Sequence, residues 1–123
     1  MRREPRSRGS RHYIHSFLRA GSRVWVRPTR NLFAIADAPS YVLLAAGIGI
    51  TPILSMARHL AAQNMDWQTT YATRHRDDIV FAEELRALGD RVTTHVSGES
   101  GRLDLAALLS GIAPGAAVYA CGP

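Results

Sequence analysis

Between residues 40 and 123 the apolar side chains switch repeatedly from strand period to helix period, and this alternation restricts the fold more than any other feature. Tyr41-Val42-Leu43-Leu44-Ala45-Ala46 is a continuous apolar run, the pattern of a parallel strand covered on both faces. Thr51 can cap a helix with Pro52 at its first position, and Ile53, Leu54, Met56, Ala57, Leu60 and Ala61 then keep helical spacing up to Gln63-Asn64. A second strand is predicted over 67–73 and a second helix over 78–88, with Ile79, Phe81, Ala82, Leu85 and Leu88 apolar and Gly89 ending it. A third strand over 91–96, a third helix over 103–109 led in by Ser100-Gly101, and a fourth strand over 116–120 complete the pattern. A β-α-β-α-β-α-β run of this kind implies an α/β fold with an open parallel sheet and right-handed crossovers. The sequence stops at Cys121-Gly122-Pro123, so part of the sheet is expected to be bare and the chain is expected to be a piece cut at both ends.

The first quarter has a different character. Residues 2–11 are rich in Arg, Ser, Gly and Pro without periodicity, which predicts a loop or arm. His12 to Leu18 can form a helical turn with Tyr13, Ile14, Phe17 and Leu18 on one face, and Arg23-Val24-Trp25-Val26-Arg27 alternates like a strand stopped by Pro28. Residues 29–39 read as a connection, which gives a division into 1–34 and 35–123. Charge divides the chain in a similar place: residues 1–30 hold nine Arg against Glu4 alone, a net of +8, while the remainder carries a net of −3. All the basic side chains other than His are arginines, which suits phosphate oxygens but equally reflects genome base composition.

Several chemistries are excluded by what is missing. One cysteine, Cys121, leaves no disulfide framework, Cys-rich zinc site or four-thiolate cluster within this chain. His12, His15, His59, His75 and His95 lack metal-ligand spacing, so no metal site is expected. No apolar run approaches transmembrane length and no secretory signal opens the chain, so a cytoplasmic protein without a membrane partner is expected. The arginine arm leaves open a nucleic-acid-binding module, although only Tyr13, Phe17 and Trp25 accompany it and no nucleic-acid fold is visible.

Gly47-Ile48-Gly49-Ile50-Thr51-Pro52 joins the first parallel strand to the first helix. Two glycines there allow a tight turn and close backbone approach, and the helix start directs N–H groups and a positive dipole end at a pyrophosphate. It departs from the usual dinucleotide fingerprint because Pro52 stands where a third glycine belongs. On these residues alone, a phosphate cradle and a plain strand-to-helix turn are both admissible.

The longer string Ala45 to Met56 resembles the pyridine-nucleotide motif of the ferredoxin–NADP reductase superfamily, most closely its phthalate dioxygenase reductase and vanillate demethylase reductase branch. Pro28-Thr29-Arg30-Asn31-Leu32-Phe33, Tyr71-Ala72-Thr73-Arg74 and Val118-Tyr119-Ala120-Cys121-Gly122-Pro123 follow in that family's order. The resemblance implies a sheet of the ferredoxin-reductase nucleotide-binding type, preceded by a remnant of a flavin-binding β-barrel. It also implies hydride transfer from NAD(P)H to FMN or FAD, in a reductase that passes electrons to an iron–sulfur ferredoxin domain and then to an aromatic-ring dioxygenase or demethylase.

By the same resemblance, Gly47, Gly49, Thr51 and Pro52 would line the nicotinamide ribose and pyrophosphate path. Thr73, Arg74, Arg76 and Asp77 would meet the adenosine ribose, where a diol favours an acceptor and a 2′-phosphate favours Arg; both are present, so NADH and NADPH remain open. Cys121 and Gly122 would lie beside the nicotinamide, which makes Cys121 and Thr51 the catalytic candidates. Arg8, Gly9 and Ser10 resemble the segment that receives the flavin phosphate, one glycine shorter than usual. The family's flavin-ring motif, its carboxyl-terminal [2Fe-2S] ferredoxin domain and the last helix and strand of the nucleotide domain are not in this sequence. A truncated, inactive nucleotide-binding remnant is therefore a further expectation.

Overall fold

The computed structural model describes residues 10–28 and 30–123, which fall into two units, Met1–Phe33 and Ala34–Pro123. Arg8, Gly9 and Thr29 lie outside the described residues. In the first unit, α1 (Ser10–Ser16) forms near the predicted turn, and the rings of Tyr13 and Phe17 stack with centroids 5.8 Å apart. The strand expected over 23–27 is absent, and Val24, Trp25 and Val26 are exposed. Alternation decides only which way side chains point; a strand needs a neighbour for its N–H and C=O groups, and none pairs with this segment among the described residues.

The second unit is a four-stranded parallel sheet in the order β3-β2-β1-β4, built from β1 (Tyr41–Ala46), β2 (Trp67–Thr73), β3 (Val92–Val96) and β4 (Ala117–Cys121). The register aligns Leu43 with Thr69 and Tyr119, and Tyr71 with Thr94. Partners in parallel strands share a face, so Tyr41, Leu43, Ala45, Trp67, Thr69, Tyr71 and Thr73 form one surface, and all seven are buried. Helix α2 (Ile50–Ala62) packs on β1, β2 and β4 and buries Ile50, Ile53, Leu54, Met56, Ala57 and Leu60. Its amphipathic spacing thus closes the core, at ~1.5–3 kcal/mol for each large aliphatic side chain taken from water. On the opposite face Leu44 and Ala46 are half-buried, while Gln68, Val118 and Ala120 are exposed.

Helix boundaries differ from the sequence reading in three places. Residues 47–49 form a 3-10 turn that runs directly into α2, so the helix begins at Ile50 with Gly49 as its cap. Thr51 is therefore inside the first turn, and its hydroxyl donates to the Ile48 carbonyl at 3.0 Å instead of capping. The helix expected over 78–88 shrinks to α3 (Ala82–Ala87), because Phe81 takes a left-handed conformation (φ 59°) and Ile79 stays extended. Between β3 and β4 stand a short α4 (Ser97–Ser100), which the periodicity did not show, and α5 (Leu105–Ser110), capped by Asp104 through an Ala107 N–H bond of 2.9 Å. Leu105 and Leu109 of α5 are about half exposed, at 50% and 44%.

The entry to β1 is held by two tyrosines. Tyr41 donates to the Ala36 carbonyl and accepts from the Ala38 N–H, while Tyr119 donates to Ala34 and accepts from the Ala36 N–H.

Candidate functional site

Strand order locates the site before any residue is considered. From β1 the chain moves outward to β2 and β3, then crosses back to place β4 on the other side of β1. Such a reversal opens a crevice beyond the carboxyl ends of β1 and β4, and ligands bind at such a place in open α/β sheets. Gly47 follows β1 directly and Gly122 follows β4 directly, so both glycine segments flank that crevice.

The two glycines of the turn serve different ends. Gly47 has a positive φ of 51° and nothing within 4 Å of where a side chain would begin, so its backbone faces open space. At Gly49 an added Cβ would overlap the carbonyl of Cys121 and come within 2.9 Å of the Gly122 nitrogen. Gly122 in turn presses on Ala46, where a Cβ would stand 2.7 Å from the alanine methyl. Thus Gly49 and Gly122 lock the ends of β1 and β4 together by backbone contact, and Gly47 leaves the approach to α2 clear. Ile48 between them is 67% exposed.

Thr51 and Pro52 complete this wall. The Thr51 hydroxyl spends its proton on Ile48, which leaves its oxygen lone pairs to accept from outside. Pro52 lacks an N–H and its fixed backbone angle suits the first turn of α2. Cys121 ends β4 half-buried, opposite Ala45 in the register, with its carbonyl against Gly49.

One strand further out, Thr73 and Arg74 close β2. Thr73, expected at a ribose, has its hydroxyl buried with no hydrogen-bond partner, because odd-numbered positions of β2 face the core. Arg74 is exposed. Arg76, Asp77 and Asp78 form a 3-10 turn, and Arg76 makes a two-pronged ion pair with Glu99, Nε to Oε1 at 3.1 Å and Nη2 to Oε2 at 2.6 Å. Bonding to that carboxylate raises the Arg76 pKa above its ordinary value. A cavity of about 500 Å³ runs beside this pair, along β3 and α3, with Arg86, Asp90 and His95 on its walls.

The residues 97–99 went unnoticed in the sequence. Ser97 donates through its hydroxyl to the Thr73 carbonyl at 3.1 Å, and the Gly98 N–H donates to the Arg74 carbonyl at 2.9 Å. The available signal was Ser-Gly-Glu directly after a parallel strand, a place where small residues let neighbouring loops touch. Gly47, Gly49, Thr51, Pro52, Cys121 and Gly122 are brought together, and Arg74, Arg76 and Asp77 follow the adjacent strand. Arg8 and Gly9 fall outside the described residues, and Ser10 begins α1 in the other unit.

Residues 43–123 match the oxidoreductase NAD-binding domain family, a span that includes every one of these crevice residues. The chain belongs to this family. Across its whole length it is 42% identical to the heme-dependent oxidative N-demethylase beta subunit of Ectopseudomonas mendocina, of which it covers 40%. With 98% of its length it is 40% identical to a vanillate O-demethylase oxidoreductase of Pseudomonas sp., again covering 40%. Full-length CYP116B46 from Tepidiphilus thermophilus superposes with a TM-score of 0.84 at 41% identity, over 98% of this chain and 16% of that one. This NAD-binding oxidoreductase domain therefore lies in the phthalate dioxygenase reductase branch of the ferredoxin–NADP reductase superfamily. It spans about two fifths of the length of the curated relatives it matches. These relatives lend no support to a nucleic-acid-binding module. Among the described residues no helix is long and apolar enough to cross a membrane.

Proposed function

We propose that this domain binds NAD(P)H in the β1/β4 crevice and presents the nicotinamide to a flavin, as the entry point of electrons in a cytoplasmic reductase that serves an oxygenase. The supporting observation is the division of labour between the glycines: the backbones of Gly49 and Gly122 close the crevice floor, and Gly47 leaves an unobstructed path to the start of α2. A pyrophosphate fits such a path because the first N–H groups of the helical segment have no internal acceptor there.

In this reading the dinucleotide supplies a hydride and the flavin passes the electrons on singly. The chain's own residues do the positioning. Gly47 and Ile48 border the pyrophosphate, and the Thr51 oxygen accepts from the nicotinamide amide. Cys121 and Gly122 set the depth of the ring, while Arg74, Arg76 and Asp77 meet the adenosine ribose. Residues 1–34 would belong to the flavin side, with Arg8, Gly9 and Ser10 at its phosphate, whether FMN or FAD, and residues 35–123 to the dinucleotide. The names of relatives, a demethylase beta subunit, a demethylase oxidoreductase and a monooxygenase-system reductase subunit, support a terminal oxygenase as the acceptor, and the sequence resemblance implies an iron–sulfur ferredoxin domain on the way to it.

Calorimetric titration of the chain with NADH and NADPH tests the reading. Saturable binding of at least one, weakened by Gly47→Val with the fold retained, is expected; absence of binding to both would refute it. A duplex DNA competitor is expected to leave the titration unchanged.

A further inference from the structure

We propose that Glu99 is a selectivity residue: by holding the Arg76 guanidinium it disfavours dinucleotides that carry a 2′-phosphate. The inference rests on the reading above for the location of the adenosine ribose. It adds a residue from a different strand connection and a direction of preference.

The loop after β3 is fastened to the loop after β2 by successive contacts. Ser97 Oγ reaches the Thr73 carbonyl at 3.1 Å, the Gly98 nitrogen reaches the Arg74 carbonyl at 2.9 Å, and the Glu99 carboxylate meets Arg76. The approach is too close for a side chain at position 98, since a Cβ there would lie 2.6 Å from the Arg74 oxygen. Glu99 is therefore delivered to Arg76 by the contacts of the two residues that precede it. The ion pair is not a chance meeting of two long side chains.

Its geometry decides what Arg76 can do. The Nε–Nη2 edge is taken by one carboxylate in the two-pronged arrangement a phosphate also uses, which leaves only the Nη1 side of the guanidinium beside that carboxylate. A 2′-phosphate must displace Glu99 or share the guanidinium with it at short range, and like charges so placed repel. A ribose diol carries no charge and meets neither obstacle. The structure thus shows an occupied fork where a phosphate-binding arginine would stand ready, a device that acts against the wrong ligand. Arg74 remains exposed beside it, so the device weakens 2′-phosphate binding without abolishing it. Arg76 and Glu99 are both substantially exposed, 70% and 49% by side chain, which keeps the effect modest.

The test compares 2′,5′-ADP with 5′-ADP, and NADPH with NADH, in calorimetric titrations of the full chain. Glu99→Gln keeps the size of the side chain and removes the charge; it is expected to tighten 2′,5′-ADP about three- to fivefold and to leave 5′-ADP and NADH within about twofold. Gly98→Ala, which must push the loop away from Arg74, is expected to move the ratio in the same direction without any change of charge. Adding Arg76→Ala to Glu99→Gln should cancel the gain, whereas adding Arg74→Ala should leave it in place. The gain should also shrink with added salt. A ratio unchanged in Glu99→Gln while NADH still binds would overturn this proposal alone, as would a gain that depends on Arg74 and not on Arg76. Loss of NADH binding in every form, the unaltered chain included, would instead remove the function on which it rests.

Discussion

Gly47 and Gly49, two positions apart at the crevice, illustrate how one residue type answers two demands. Substituting Gly49 forces a side chain into the carbonyl of Cys121, so even Gly49→Ala is expected to destabilise the domain by several kcal/mol, about the cost of overpacking or more. A thermal melt would show it, with loss of ligand binding as a secondary effect. Gly47→Ala meets no neighbour and bears only left-handed backbone strain, on the order of 1 kcal/mol, so a weaker titration with a melt lowered by only a few degrees is expected. Equal melting losses in the two variants would contradict this assignment. Thr73 supplies the opposite case, a buried hydroxyl with no partner. Thr73→Val should be neutral or stabilising by up to ~1 kcal/mol in chemical denaturation and should leave dinucleotide affinity alone. A fall in affinity would return the hydroxyl to the ribose contact first expected of it.

Among the secondary-structure elements, α2 and α5 sit at opposite ends of a range. Ile53 on α2 is fully buried, and Ile53→Ala is expected to cost ~2–5 kcal/mol in denaturant unfolding. Asp104 caps an α5 with no buried residue, so Asp104→Ala should cost only ~0.5–2 kcal/mol, most of it local to that helix and detectable as faster amide exchange over Leu105–Ser110. The same contrast explains what was legible in the sequence. The strands β1 and β2 and helix α2 have patterns dictated by burial, and their limits could be read almost to the residue. The segment 76–88 could not, because its apolar residues share helical spacing while Phe81 turns left-handed and breaks the run, a conformation that local sequence seldom announces. The crevice glycines were visible as a motif, but which of them faces a ligand and which faces the protein depends on a partner strand about 70 residues away. Glu99 was invisible for a related reason: its role exists only through the contact between two connections.

Over the whole sequence the positive charge is concentrated in the first 30 residues, and the rest, which includes the sheet, carries a net negative charge. Polyanion affinity and dinucleotide affinity are therefore expected to separate by salt: retention on an immobilised polyphosphate should fall steeply with ionic strength, while NADH titration should change little. Parallel loss of both would place the dinucleotide among the arginines instead of in the crevice. The backbone lock of Gly49 on Cys121 and Gly122 carries a consequence for synthesis. The first wall of the crevice leaves the ribosome early, with residues 45–52, but the Cys121 carbonyl does not press against Gly49 until about 70 further residues have been added and β4 has docked. Closing so long a loop is slow compared with forming α2, so a half-made chain carries the glycine turn without the pocket. A dinucleotide bound in this crevice could not template the fold from its first half, because the second wall arrives only with β4.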